Sequence, residues 1–353
     1  MRIGLIIYGS LNTLSGGYLY DRKLVEYLRA QGDTVEIISL PWQSYAAHLT
    51  DNFRFRLPVH LDILIQDELN HPSLILPNRG KHRHPIISLV HHLRCSELRP
   101  KWQNAFYRVI EKKYLQSVDG FIFNSRTTED VVHQLIENNK PSIVAYPPTD
   151  RFGEPISEEE VIRRAHSNEF RILFLGNVIG RKGLHVLLKA VASLKSQVMI
   201  DVVGSLASES LYVKRIQKII KDSNLSSFIV LHGSLDKEPL AEKLRQAHVL
   251  VVPSSYEGFG IVYLEGMCFG LPAIGTTAGA AGEIISDGVD GFLIKPGDAN
   301  LLATRLKTLN EQRDVLIQMS LAARSRYLRQ PKWEESASQI RVFLSKRIAE
   351  FAV

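Results

Sequence analysis

The sequence predicts an α/β protein of two doubly wound domains that face each other across a cleft. Short β-rich runs alternate with amphipathic helical patterns along the chain, which is typical of parallel sheets covered by helices. The 353 residues exceed the usual size of a single hydrophobic core. A stretch rich in proline, glycine and charge interrupts the alternation at residues 147–169. In such domains, ligands bind beyond the carboxyl ends of the strands.

The first half of the chain contains six predicted strands. They are residues 2–8, 34–40, 61–67, 85–90, 120–124 and 142–147. Between the first two, residues 18–32 carry Leu24 and Leu28 four positions apart and end at Gly32, which predicts a helix. Residues 124–139 begin with serine and threonine followed by an acidic turn, which predicts a capped helix.

The second half repeats this alternation without repeating the sequence. Its predicted strands are residues 170–177, 198–205, 228–234, 248–255, 272–276 and 291–295. The chain is therefore interpreted as a first domain at 1–150, a linker at 151–168 and a second domain at 169–330. A last amphipathic helix is predicted at 331–353, and we expect it to pack back on the first domain.

The composition is that of an ordinary globular protein, with 45% hydrophobic and 23% charged residues. No apolar run approaches the roughly 20 residues that span a bilayer. The apolar core of residues 1–10 is shorter than that of a signal peptide and reads as a first strand. Cys95 and Cys268 lie far apart without metal-ligand spacing. We therefore expect a reducing, cytoplasmic location and no disulfide framework.

Positive charge is concentrated in the first half. Residues 79–113 contain nine Lys or Arg against Glu97 and Glu111, a net charge of +7, together with four histidines. A solvated basic face, an anionic substrate and an anionic membrane surface all fit this pattern. Nucleic acid fits less well, because no recognition-helix or RNA-binding pattern is present. Within residues 99–116, the apolar positions favour a helix packed on the sheet over one lying on lipid.

Two glutamates, Glu257 and Glu265, stand eight residues apart where a predicted strand turns into a helix. The amides of the glycine-rich turn, from Gly258 through Phe259 and Gly260 to Ile261 and Val262, begin that helix and can bind a phosphate. Glu265 lies on an otherwise apolar helix face and needs a partner there, which a ribose diol can supply. The alternative is a glutamate that only complements the helix dipole.

Cations follow the first strand of the second domain. Arg181 and Lys182 stand between that strand and a helix, where positive charge is unfavourable unless an anion joins it. A cation about 4 Å from a phosphate contributes on the order of 4 kcal/mol at a surface-like dielectric. Arg181 and Lys182 can thus neutralise a diphosphate leaving group without a metal. Asn177 at the end of the same strand and Ser234 after a later strand are further candidates for binding the ligand.

Candidates in the first domain are less specific. Gly16 and Gly17 lie between a strand and a helix and permit close approach of a ligand, although the dinucleotide fingerprint is absent. His91 and His92 follow another strand, and one of them can orient a substrate hydroxyl or share a proton. We find no metal cluster, serine-hydrolase elbow or P-loop motif in the sequence.

The motifs resemble those of retaining glycosyltransferase family 4, the glycosyl transferases group 1, whose members have the GT-B fold of two Rossmann-like domains. The segment EGFGIVYLE (257–265) resembles the family's E-x7-E signature. The Gly-Gly pair, the strand-end histidine, NSRTT, GRKG, VPSSYEGFG and GEIISDGVDGFLIKPGD occur in the family's order along most of the chain.

This resemblance implies a metal-independent transfer of a sugar, with retention, from a nucleotide diphosphate sugar to an acceptor hydroxyl on a glycan, lipid or small molecule. Arg181 and Lys182 would hold the diphosphate, and Glu265 would bind the ribose. Glu257 and the amides after it would address the donor sugar, Gly16 and Gly17 the phosphates. His91, or else His92, would lie near the reacting centre. No separate cofactor is implied, and the location would be cytoplasmic, with peripheral contact at the inner membrane face if the acceptor is a lipid.

Three alternatives remain open. A sugar-nucleotide epimerase of similar architecture would need further acid or base carboxylates around the sugar, and no convincing set is present. A non-catalytic sugar-nucleotide-binding subunit would not need Arg181, Lys182, Glu257 and Glu265 together. A nicotinamide dehydrogenase is the most distant alternative. The donor's nucleotide and sugar, the acceptor, the linkage and the oligomeric state are not predicted.

Overall fold

The computed structural model of the chain describes residues 1–13, 15–80, 82–148, 150–194 and 198–351. It divides into two compact units. The first comprises Met1–Pro148 together with Pro331–Val353, and the second comprises Thr149–Gln330. Lys81, counted above in the basic stretch, lies outside the described residues.

Each unit contains one six-stranded sheet with parallel pairing throughout, which confirms the predicted fold class. The first sheet consists of β1 (Arg2–Tyr8), β2 (Thr34–Leu40), β3 (Ile63–Asp67), β4 (Ile86–Val90), β5 (Gly120–Phe123) and β6 (Ser142–Val144). The second sheet consists of β7 (Arg171–Leu175), β8 (Met199–Val203), β9 (Ile229–Gly233), β10 (Val249–Val251), β11 (Ala273–Thr276) and β12 (Gly291–Ile294).

Most strands are shorter than the sequence pattern predicts, and β3 and β10 are two examples. β3 begins at Ile63 because the carboxylate of Asp62 accepts the backbone N–H of Arg2 (2.8 Å) and its guanidinium (2.7 Å) before the ladder starts. β10 ends at Val251, close to Pro253, which has no N–H to donate to a neighbouring strand. Both strands were predicted too long because apolar residues next to them resemble strand residues but lie outside the hydrogen-bonded ladder.

Thirteen helices cover the sheets in the described part of the chain. They are α1 (Gly16–Ala30), α2 (Tyr45–Asp51), α3 (His71–Arg79), α4 (Lys101–Leu115), α5 (Arg126–Ile136), α6 (Glu158–Ala165), α7 (Leu184–Ala192), α8 (Ser210–Asp222), α9 (Lys237–Gln246), α10 (Ile261–Cys268), α11 (Ala299–Glu311), α12 (Arg313–Leu328) and α13 (Trp333–Phe351). Among these described helices, none has the length and apolar content to cross a membrane.

The region expected to be a linker, residues 151–168, belongs to the second unit and contains α6. The Ser157 hydroxyl caps this helix by accepting the amide of Glu160, and three glutamates in its first turn complement the helix dipole. Val161 and Ala165 are buried. These local signals outweigh the proline and glycine that precede them.

The first sheet has apolar layers on both faces. One layer joins α1 to α13 through residues such as Leu24 and Ile340. The other joins α3, α4 and α5 through Leu74, Tyr114 and Leu135. The C-terminal helix α13 is thus part of the core of the first unit.

The strand order fixes where each sheet can bind a ligand. The first sheet runs β2-β1-β3-β4-β5-β6, so the chain reverses direction across the sheet between β1 and β3. The second runs β12-β11-β10-β7-β8-β9, with the reversal between β7 and β10. Loops after two such strands diverge to opposite sides and leave a crevice at the carboxyl edge. Side chains that bind a ligand are therefore expected close to these two points.

Candidate active site

In the second unit, the reversal point holds two cations and a carboxylate. Arg181 and Lys182 lie in a short 3-10 turn after β7, and Glu257 follows the adjacent β10. The Lys182 ammonium donates to Glu257 Oε1 at 2.6 Å, and the Arg181 guanidinium lies 3.7 Å from the same oxygen. The Ser254 hydroxyl also donates to this carboxylate. The cluster keeps one net positive charge, which suits an anionic ligand.

The buried setting changes the pKa of both paired groups. Burial lowers the pKa of Lys182, although the Glu257 carboxylate opposes this effect. Burial acts to raise the pKa of Glu257, but the charges of Lys182 and Arg181 outweigh it, so that the pKa of Glu257 lies below its ordinary value. Glu257 is therefore ionised at neutral pH and holds the cations in place.

A glycine allows the cationic turn after β7 to lie close to the segment after β10. Gly183 has a φ of +75°, and a Cβ at this position would lie 2.1 Å from the carbonyl oxygen of Pro253. The backbone N–H of Ser255 donates to the carbonyl of Arg181 at 2.8 Å. The left-handed glycine thus lets the cationic turn pack directly on the strand end that carries Glu257.

The glycine-rich turn leads into α10 as the sequence predicts. Gly260, with a φ of +95°, precedes Ile261, the first helical residue. Within the described chain, the amides of Ile261 and Val262 donate to no protein acceptor. Phe259 is buried, and Gly258 lies directly after Glu257. The free amides and the helix dipole are available to an anion beside the cationic cluster.

Glu265 has a protein partner that the sequence interpretation did not include. It is only 4% exposed, on α10, and accepts a hydrogen bond from the Arg151 guanidinium at 3.0 Å. Burial raises the pKa of Glu265, and Arg151 opposes this rise. Arg151 comes from the predicted linker, where no local pattern marks it as a site residue.

Asn177 and Ser234 do not join the cationic cluster. The Asn177 side-chain oxygen accepts the amide of Ser205 at 3.3 Å, so it ties the end of β7 to the end of β8. Ser234 follows β9, which is separated from β7 by β8. At about 4.8 Å per strand, this position is roughly 10 Å from β7. The sequence could identify both as strand-end residues, but not how far each stands from the reversal point.

In the first unit, His91 joins two carboxylates. Its Nε2 lies 2.9 Å from Oδ1 of Asp21, a fully buried residue of α1. Asp67, the last residue of β3, completes the group, with one ligand atom from each residue within 4.8 Å of the others. The side-chain amide of Asn124 donates to the His91 carbonyl at 2.9 Å and fixes the backbone.

The charges of this cluster depend on one another. Burial acts to lower the pKa of His91, but Asp21 and then Asp67 raise it above the ordinary value. Burial and the neighbouring Asp21 raise the pKa of Asp67 to about 7. Asp21 therefore acts in the same direction on both neighbours, since it raises the pKa of His91 and that of Asp67 and so favours the proton on each. The same donor set has the spacing of a metal site, as has the group Glu68, His71 and Glu111.

The structure separates His91 from its neighbour His92. His92 Nε2 lies 3.0 Å from Glu97, and the His92 side chain is 31% exposed, against 15% for that of His91. His91 points to the buried carboxylates near the reversal point of the sheet. The geometry therefore favours His91 as the candidate active-site histidine.

Gly16 and Gly17 are the first two residues of α1 rather than a separate loop, because the Ser15 hydroxyl caps the helix by accepting the amide of Tyr18 at 3.3 Å. A Cβ at Gly17 would lie 3.1 Å from the His91 ring. Gly17 thus lets the start of α1 approach His91 closely. The sequence singled out these two motifs separately, and the fold brings them into contact.

Residues 156–326 match the family model described as Glycosyl transferases group 1. An uncharacterized glycosyltransferase of Methanocaldococcus jannaschii is 34% identical over 137 residues, which cover 39% of this chain and 37% of that protein. A D-inositol 3-phosphate glycosyltransferase of Streptomyces griseus is 30% identical over 174 residues, or 47% of this chain and 37% of that protein. The aligned part of the chain thus spans little more than a third of these relatives.

Solved structures resemble the whole chain. Sucrose-phosphate synthase from Thermosynechococcus elongatus superposes with a TM-score of 0.84 at 20% identity, over 99% of both chains. Anabaena HepE in complex with UDP and glucose gives a TM-score of 0.74 at 19% identity, over 98% of this chain and 99% of that one. At this identity the likeness establishes the fold, and the predicted GT-B fold is confirmed.

Proposed function

We propose that this chain, whose residues 156–326 match the family Glycosyl transferases group 1, moves a sugar from a nucleotide diphosphate sugar to an acceptor hydroxyl with retention of configuration. The observation that carries the proposal is the cluster of Arg181, Lys182 and Glu257 at the reversal point of the second sheet. It combines a net positive charge with the free amides of α10, which suits a diphosphate.

The proposed reaction breaks the bond between the anomeric carbon and the β-phosphate oxygen. A bond from the acceptor oxygen to the same carbon forms on the same face, and the acceptor's proton goes to the departing phosphate. Arg181 and Lys182 stabilise the charge that develops on the leaving group, and this type of electrostatic stabilisation contributes about 10²- to 10³-fold per group. Both cations are already held by Glu257, so the reaction needs little reorganisation and no metal ion.

The remaining candidates take roles around this step. Glu265 binds the ribose of the donor, and Glu257 with the amides after it addresses the sugar. UDP is the proposed nucleotide, since the similar HepE structures contain UDP, UDP with glucose, or UDP-glucose. In the first unit, Gly16 and Gly17 at the start of α1 are the residues proposed to contact the phosphates. His91, held by Asp21, is proposed to orient a substrate hydroxyl or to share a proton with it.

A donor screen tests this function. Thermal unfolding of the full chain is measured with UDP-, GDP-, ADP- and dTDP-glucose and with NAD, because a ligand of the folded state raises the unfolding temperature. We expect UDP-glucose to stabilise the chain, and Lys182→Ala to lose this stabilisation. Lys189→Ala, which removes an exposed cation from α7, is the control and should respond as wild type does.

Turnover then separates the alternatives. A glycoside with the donor's anomeric configuration, formed only when an acceptor is added, supports the transferase. Conversion of UDP-glucose to an epimer without acceptor would indicate an epimerase, and binding without turnover of any acceptor would indicate a binding subunit. If no nucleotide sugar stabilises the folded chain, the proposed donor site is wrong.

We further propose peripheral contact with an anionic membrane at its inner face. The sequence favoured a packed helix for residues 99–116, but α4 buries only Glu111, Tyr114 and Leu115. Trp102 is 71% exposed, and exposed Phe106 and Val109 lie on the same helix face. Exposed basic residues adjoin this face, with Lys101 and Arg108 along one side of it and Lys113 one turn beyond Val109. An apolar stripe beside cations is the pattern of an interfacial helix, which supports a lipid-linked acceptor.

Vesicle co-sedimentation at low salt tests this contact. We expect binding to vesicles containing phosphatidylglycerol, loss of binding with pure phosphatidylcholine, and weaker binding for Trp102→Ala. Leu211→Ala removes an exposed apolar side chain of α8 and should not change the bound fraction. Equal sedimentation of wild type and Trp102→Ala would rule out α4 as the contact.

A further inference from the structure

A cavity of about 130 Å³ lies within the first unit at the carboxyl edge of its sheet. Its walls come from four adjacent strands. Tyr8 ends β1, Trp42 and Tyr45 follow β2, His71 follows β3, and Arg94 follows β4. This volume is below the roughly 300–1,000 Å³ of sites for drug-sized ligands. It suits one ionic group and part of one sugar ring.

The cation in the cavity wall, Arg94, has no ionic partner among the described residues. The Arg94 guanidinium lies 5.2 Å from the ring centre of Tyr45 and 4.8 Å from that of Tyr107. Its Nε is buried without a hydrogen-bond partner, and the guanidinium makes no ion pair with any residue that the structure describes. A planar guanidinium held on aromatic faces presents its N–H fork to a carboxylate or phosphate.

The two nearby glutamates, Glu68 and Glu111, form no ion pair with the Arg94 guanidinium in the described structure. The Glu111 carboxylate accepts the backbone N–H groups of Arg94 (2.6 Å) and Cys95 (3.1 Å) rather than the guanidinium. Burial raises the pKa of Glu68 to about 8 and that of Glu111 to about 7. Burial also lowers the pKa of His71 to about 4, so its imidazole is neutral. In the described part of the chain, the Arg94 guanidinium is thus left without a hydrogen-bonded carboxylate.

Aromatic rings form the rest of the wall. Trp42 is 55% exposed, and its ring centre lies 5.3 Å from that of Tyr8. The Tyr8 ring in turn stacks on the His48 ring, with 3.9 Å between the ring centres. Such flat faces pack against the C–H faces of sugar rings. The cavity also adjoins the proposed active-site residues along the chain, since Arg94 lies three residues after His91 and Glu68 directly follows Asp67.

From this juxtaposition we propose that the cavity is the acceptor subsite and takes a sugar or polyol that carries a carboxylate or phosphate. The acidic group binds Arg94, and the ring packs on Trp42. The assignment of the ligand as acceptor depends on the proposed function, whereas binding of acidic sugars by the cavity does not. Binding and turnover can therefore be tested apart.

Isothermal titration calorimetry of the full chain tests the binding. The carboxylate probes are glucuronate and galacturonate, the phosphate probes are glucose 6-phosphate and glycerol 3-phosphate, and glucose is the neutral probe. We expect at least one acidic class to bind about 10-fold or more tightly than glucose, in line with a charge-assisted contact. Arg94→Gln should abolish this preference. Arg83→Gln removes an exposed cation of the same basic stretch and should keep it.

A second variant shows whether a loss of binding results from the subsite or from misfolding. Trp42→Ala changes an exposed wall and should weaken acidic and neutral sugars alike, while UDP binding by the second unit stays unchanged in all three variants. Acidic sugars that bind no more tightly than glucose, or an Arg94→Gln protein that keeps the preference, would overturn the subsite. Acidic sugars that bind through Arg94 in a chain without donor binding would leave the cavity intact and reject the proposed transferase.

Discussion

In the second unit Glu257 lies within 3.7 Å of two cations, whereas in the first unit Glu68 and Glu111 face each other and a neutral His71. Burial acts on all three carboxyls in the same direction. In Glu257 the cations outweigh it and the pKa falls, but in Glu68 and Glu111 the pKa rises to about 8 and 7. The charge of the neighbouring side chains, rather than the extent of burial, decides whether a buried carboxyl group is ionised.

This difference matches the task proposed for each unit. A diphosphate donor brings negative charge, and the second unit has a surplus of fixed positive charge to meet it. In the first unit, burial raises the pKa of Glu68 and of Glu111, and the neighbouring carboxyl groups raise that of His91, so that each of these groups favours its protonated form. The comparison also explains why the first unit holds groups with pKa values near neutrality, which are suited to hydrogen bonds with hydroxyls.

Removing the Asp21 charge is the stronger test of this contrast. Asp21→Asn keeps the size of the side chain but removes the group that raises the pKa of His91 most, against the opposing effect of burial. We expect kcat to fall about 100-fold, at the lower end of the range of general acid–base effects. The alkaline limb of the kcat–pH profile should move to lower pH, because His91 loses its proton earlier.

The control for Asp21→Asn is Asp130→Asn, which removes an exposed carboxylate from α5 of the same unit. Its kcat–pH profile should match that of wild type, and UDP-glucose should stabilise both variants equally. A lower kcat without any movement of the alkaline limb would mean that Asp21 only supports the fold. In that case the proposed role of a protonated His91 would be wrong.

The site residues of the second unit could be predicted more completely from the sequence, because they lie in short local motifs. Arg181 and Lys182 follow one predicted strand and Glu257 follows another. The rule that parallel strands end at one edge was enough to expect them together, and the structure brings them together. The partner of Glu265 escaped this reasoning, since Arg151 lies 114 residues away in a stretch that looks like a linker.

In the first unit the same reasoning located strands but not partners. Asp21 lies inside α1, 70 residues from His91, and the helical pattern around it contains no sign of a buried acid. Glu111 was counted only as a charge that offsets the basic stretch. Trp102 was expected to be packed, but the helix turns it outward. Which face of a helix meets the sheet depends on tertiary packing, and local spacing leaves two choices for a helix with apolar residues on both sides.

The pH dependence of the free energy of unfolding tests the same difference between the two units. The expected effect is smaller than that of Asp21→Asn on kcat. The folded chain holds a proton on Glu68 up to a pKa of about 8, while an unfolded chain loses it near the ordinary value of 4.5. The folded state thus binds more protons in this window, so this residue makes the free energy of unfolding decrease as pH rises from 4.5 to 8. Glu68→Gln removes that dependence. It should equal wild type below pH 4.5 and exceed it at pH 9 by on the order of 1–3 kcal/mol in urea unfolding.

Glu257→Gln should show the opposite sign, because the pKa of Glu257 is lowered in the folded chain. Its ion pair stabilises the fold above the unfolded value of 4.5 and is lost as pH falls through the folded value. The variant should therefore be less stable than wild type at pH 7 and approach it in acid. Glu334→Gln, an exposed change on α13, should follow wild type throughout. Parallel pH curves for Glu68→Gln and Glu257→Gln would remove the distinction between a proton-holding first unit and an ion-paired second unit.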